Sequence, residues 1–247
     1  MSTYYVYNGQ TSSGVWVDHG DYMYVSSGGV ASNTIINSGY LCVSSGGVAS
    51  DTTINDGWMY VYSGVASDTI ISGYGWLFVE FGSVASSTTI NSGYLCVDCG
   101  GVASSTTISG YGRLRVSSGG VASDTIINSS GDMYVYSGGV ASSTTINSGG
   151  ALSIDGVSSP IINIGGALSI GGVASDTTIS SEGALHVSYG GIASDTTITS
   201  DGYLYVSSGG VASSTTISGG ELYISSGGVA SDTTAETKAG YTLRMGA

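Results

Sequence analysis

Residues Ser44 to Val61 read SSGGVASDTTINDGWMYV, and from residue 12 onward nearly the whole chain is this unit written again. A Val-Ala-Ser step opens at Val30, Val48, Val65, Val84, Val102, Val121, Val140, Val157, Val173, Ile192, Val211 and Val229, at spacings of 16 to 19 residues. A near-constant period in this range, with two short β-like runs and glycine punctuation, predicts a solenoid rather than a globular domain. Function must then be sought in what changes between copies.

Each unit holds two alternating runs, Val-Ala-Ser-x-Thr-Thr-Ile and x-Leu-x-Val, separated by Asn-Ser-Gly and Ser-Ser-Gly-Gly. Such runs predict two short strands and two tight turns per repeat. Equivalent strands would stack in parallel, about 4.8 Å apart, as coils of a β-helix. The fold class expected is an all-β parallel β-helix of about 12–13 coils. Alternation sends Met23, Leu41, Met59, Leu77 and their equivalents inward, with the Val or Ile two residues later. On the other run it predicts Val30, Thr34 and Ile36 inward, and Ala31, Asn33 and Ile35 outward. The pair Gly28 and Gly29 is expected to supply positive φ at the corner.

Three zones follow. Residues 1–29 read as degenerate N-terminal coils, with Tyr4 to Val6 matching Met23 to Val25 and Val15 and Val17 matching Thr34 and Ile36. Residues 30–234 are the tandem array, with an irregular coil at 155–172 where Pro160 occupies a variable slot and predicts a bulge. Residues 235–247 end on a last strand, Tyr241 to Met245, which reads as cut short, so the chain is expected to be a piece of something longer or to be covered by a partner.

Composition narrows the function. The chain has 247 residues, 42 Gly, 1 Pro and a net charge of -13, with Lys238 its only lysine. Seventeen acids against four bases argue against nucleic acid as partner. The acids are scattered singly. Residues 1–11 show no signal peptide, and no run approaches the roughly 18 apolar residues of a membrane helix. Three cysteines do not make a disulfide framework.

Repeats of the form SSGGVAS-D/S-TTI-N/S-SG-YLxV, over roughly residues 12–234, closely resemble the AIDA-type repeat of bacterial autotransporter passenger domains. The resemblance implies a right-handed parallel β-helix, display at the bacterial cell surface or secretion, and adhesion or self-association. It also implies O-glycosylation of Ser and Thr by dedicated heptosyltransferases. The motif carries no catalytic residues, so no enzyme and no cofactor are expected.

The outward slots of x-Leu-x-Val are the variable ones. Their first column begins Tyr22, Tyr40, Trp58, Trp76, Tyr94, then Arg113 and Asp132; the second runs Tyr24, Cys42, Tyr60, Phe78, Cys96 and Arg115. Five stacked rungs would give an aromatic strip about 20 Å long. Tyr22, Tyr24, Tyr40, Trp58, Tyr60, Trp76, Phe78 and Tyr94 are therefore the candidate binding residues, for a second copy, a surface glycan or another protein. The plainer reading is a sheet face stabilised by its own stacking, which would make the chain a passive stalk.

Other constellations carry less. The slot holding Asp51, Asp68, Asp176 and Asp195 would place like charges one coil apart, where a cation could bridge them, but no calcium repeat is present. Cys96 and Cys99 form a lone C-x-x-C with no histidine near enough to complete a zinc site, and no metal is expected. Arg113 and Arg115, with Asp98 and Asp132, read as an ion-pair patch. A polysaccharide-active site lacks the clustered acids, the base and the long loops it would need. An ice-binding face would need a regular Thr array, and Thr53, Thr89 and Thr107 share their column with Ile35, Ile70 and Ile126.

Overall fold

The computed structural model describes the backbone of residues 1–162, 166–236 and 243–245 and the side chains of 1–156 and 166–236. The chain winds into a parallel β-helix of about 12 turns. Each coil pairs in register with the next: Tyr40–Val43 lies beside Tyr22–Val25 on one side and Trp58–Tyr62 on the other. One sheet is built from these x-Leu-x-Val strands, running from Thr3–Val6 through to Leu243–Met245. The second gathers the Val-Ala-Ser and Thr/Ile-Ile strands and is bent between them. Tyr4 pairs with Met23, and Val17 with Ile36, so the N-terminal segment is a degraded coil in the expected register. At the other end Leu243 pairs with Leu222, while Tyr241 lies outside the described residues.

The core is a set of columns. Met23, Leu41, Met59, Leu77, Leu95 and Leu114 are fully buried, as are Val25, Val43 and Val61 two residues on. Ile36, Ile54, Ile71 and Ile90 close the coil from the second sheet. Each such side chain contributes about 1.5–3 kcal/mol relative to exposure, and every coil repeats the set.

Alternation gives the wrong face for the Val-Ala-Ser step. Ala31, Ala49, Ala66 and Ala85 are the buried residues, while Val65 and Val84 lie outward at 38% and 37% exposure. The cause is the residue before the buried Thr. Asn33, Asp51, Asp68, Ser87, Ser105 and Asp124 all have φ between 51° and 54°, a left-handed turn inside the run. That turn adds one step to the period-2 count, so Ala31 and Thr34, three apart, both point inward. The same geometry explains the slot's composition, because Asn, Asp and Ser tolerate the left-handed region better than other side chains with a Cβ. Proline, with φ fixed near −65°, cannot adopt it. Pro160, which the sequence places in this slot, instead pairs with Thr144, the buried threonine's position, rather than with Ser143 (φ 50°), and the register of Val157–Ile162 shifts between Ala141 and Thr144 because its coil is one residue short there.

The corners divide the work of the glycine pair. Ser27 (φ 51°) and Gly28 (φ 81°) are the two left-handed residues of a tight turn closed by Gly29 N–H donating to Ser26 C=O at 2.9 Å. This is the primed geometry that reverses a chain in two residues. Gly29 itself is there for space. A Cβ at that position would sit 2.2 Å from the Val6 carbonyl oxygen of the preceding coil.

Candidate contact face

The first sheet's outer side carries the eight residues singled out by sequence, and the ladder places them on adjacent rungs. Tyr22 stacks on Tyr40 with ring centres 4.9 Å apart and planes 8° apart, and Tyr40 stacks on Trp58 at 4.9 Å and 12°. Trp76 stacks on Tyr94 at 4.0 Å, and Tyr60 on Phe78 at 4.9 Å. Trp58 is in register with Trp76. The separations match the rung spacing, so the stacked rings lie across the solenoid axis with at least one face covered by a neighbour. Of the eight, only Tyr24 is largely exposed, at 38%; the other seven are half-buried.

Extending the alternation outward finds further members. Tyr5, in register with Tyr24, stacks on it at 5.4 Å and is 64% exposed. Tyr62 lies beside Tyr60 at 6.1 Å and Phe81 at 5.9 Å, one slot beyond the two columns read from the sequence. A second group, His186, Tyr205 and Tyr223, stacks at 4.7 and 5.0 Å near the other end of the same sheet. Between the two groups the face is low. Ala151, Ser153, Ala167 and Ser169 floor a depression of about 160 Å³ between Tyr134 and His186.

The polar residues on this face are local. Arg113 Nε lies 3.6 Å from the Asp132 carboxylate, and its guanidinium donates to the Tyr94 hydroxyl at 3.1 Å, which together with the phenol's charge raises its pKa. Arg115 sits 5.4 Å from the centre of the Tyr136 ring. Burial pushes the Cys96 thiol up to about 11 despite Arg115 nearby, and burial likewise raises Cys42 and the Tyr60 phenol. Glu80 is raised first by burial and then by Asp98. Cys96 points outward, whereas Cys99 is the left-handed residue of a corner turn (φ 49°). The C-x-x-C spacing is thus a strand slot and a turn slot that happen to hold the same residue. Asp51, Asp68, Asp176 and Asp195 stand exposed at the bend of the second sheet, and no cluster of three or more metal-ligating side chains occurs among the described residues. On that sheet Thr53, Ile70 and Thr89 share one column, so threonines and isoleucines intermix.

Comparison with known proteins bears on this architecture. A family model described as "Adhesin of bacterial autotransporter system, probable stalk" matches residues 99–150 and 162–220. The crystal structure of a TibC-catalysed hyper-glycosylated TibA fragment superposes with a TM-score of 0.94 at 37% identity, covering 98% of this chain and 92% of that one. The chain belongs to the AIDA adhesin family. No curated protein sequence matches it.

Proposed function

We propose that the chain is a non-enzymatic stalk module of a bacterial adhesin, displayed outside the cell, whose first-sheet aromatic face makes its contacts, chiefly with a second copy of itself. The observation that carries this is the pair of half-exposed ring stacks, Tyr22–Tyr40–Trp58 and Trp76–Tyr94, on neighbouring rungs of one column. Large aromatic side chains held rigid by their neighbours bind at little entropic cost, which is why they anchor protein interfaces. Replacing Trp58 and Trp76 with Ser tests the reading. The double variant should fold, since both side chains lie outside the core, and should lose association measured by light scattering; association unchanged in the folded variant would refute it.

The same reading makes the chain a substrate for a glycosyltransferase. The similar TibA fragment is hyper-glycosylated by TibC, and this chain presents exposed serines such as Ser27 and Ser45 at its corners. Intact-mass spectrometry after co-expression with TibC would show added sugar. A passive stalk is the second reading, favoured by the fact that the rings cover one another rather than standing free.

A further inference from the structure

The aromatic ridge and the depression lie on one sheet face, on either side of Arg113 and Asp132. We propose that two copies pack antiparallel through this face, about a two-fold axis that runs along the strands and passes between the Arg113 and Asp132 rungs. This rests on the self-association reading above and specifies its register.

The register follows from size and charge. Such an axis reverses the order of rungs and keeps each column opposite itself. Arg113 of one copy then meets Asp132 of the other, and Arg115 meets Tyr134. Moving the axis half a rung either way would oppose Arg113 to Arg113 or Asp132 to Asp132. With the axis in this position, Tyr94, Trp76 and Trp58 seat over Ala151, Ala167 and Ala184 of the second copy. Phe78 seats over Ser169, and Cys96 over Ser153. Large side chains thus meet small ones at the Tyr94 and Trp76 rungs, while Tyr60 meets His186 and Tyr40 meets Tyr203 further out, and the two-fold makes each contact twice, as an isologous interface requires. The like-charge meeting this creates, Asp98 with Asp155, falls at the rim, where solvent screens it.

The area suffices. Twelve rungs from Tyr22 to Glu221 lie on this sheet. At about 4.8 Å per rung and about 3.3 Å per residue along four-residue strands, the face measures about 700 Å². Specific interfaces bury about 600–1,000 Å² from each partner, and a face of this size lies within that range.

Ala167→Trp fills the depression without touching the ridge or the core, and should weaken dimerisation at least tenfold by sedimentation. Arg113→Asp should weaken it too, and adding Asp132→Arg should restore it. Orientation is read by a spin label at Tyr189→Cys, an exposed corner, with Cys42, Cys96 and Cys99 replaced by Ser. Partner labels would sit seven rungs apart, about 35 Å, against under about 25 Å for parallel copies. A dimer that shows the shorter distance, or that tolerates Ala167→Trp unchanged, overturns the register and leaves association standing. A chain that stays monomeric at every concentration overturns both.

Discussion

The coils from Tyr22 to Tyr94 and those from Ala151 to His186 are built on one plan, yet they present opposite surfaces. Leu95 and Leu168 are both fully buried in the same column, and Val97 and Ile170 follow them inward. One residue earlier on each strand the side chains face outward, and there Tyr94 and Trp76 stack as a ridge, whereas Ala151 and Ala167 floor a hollow. Inward slots are constrained by close packing on every side, so a change there is felt throughout the coil. Outward slots meet only the rungs above and below and the solvent. The lesson is that the coil's stability and its surface are written in separate, alternating positions.

That separation can be broken in three ways. If the core is one continuous column, Leu95→Ala beneath the ridge and Leu168→Ala beneath the hollow should each cost about 2–5 kcal/mol and agree within about 1 kcal/mol in denaturant unfolding. A much smaller loss at Leu168 would mean that the irregular coil near Pro160 relaxes the packing. A subtler effect concerns the ten buried threonines among the described residues, whose Oγ1 atoms have no hydrogen-bond partner there. Replacing Thr106 with Val removes a desolvated hydroxyl at nearly constant shape and should raise stability by about 1 kcal/mol, and Thr177→Val by the same amount. Destabilisation in either would show that these hydroxyls are satisfied.

The smallest effect is electrostatic and belongs to the hollow alone. Burial lowers the pKa of His186 below 6.5. Unfolding frees the imidazole to take up a proton that the folded chain resists, so stability should be intact above pH 6.5 and decline as pH falls through that value. An NMR titration should place the His186 midpoint below that of a model histidine. A midpoint at or above 6.5 would mean that the hollow's wall is fully hydrated.

The fold was legible because the unit recurs a dozen times, and one rule of alternation, applied to x-Leu-x-Val, places every Leu and Met of that column correctly. The outward placement of the eight candidate rings was legible for the same reason, but Tyr5, Tyr62 and the stack at His186, Tyr205 and Tyr223 were not singled out. The failures of facing have one root. Alternation counts residues as if the backbone were extended, and it cannot register a left-handed residue such as Asp51, which turns Ala49 inward and Val48 out. Nor could the spacing say that Gly29 is required for a 2.2 Å approach rather than for its φ.

The sequence alone therefore determined the coil, its core columns and the residues free to vary, since these depend on a period and on side-chain polarity. The tertiary structure decided which way the valines face, where the rings touch, and that Ala151 and Ala167 form a hollow rather than a gap in a pattern. The ring contacts and the hollow are properties of neighbours brought one coil apart, which no single coil contains, while the valines face outward because of a left-handed residue within each coil.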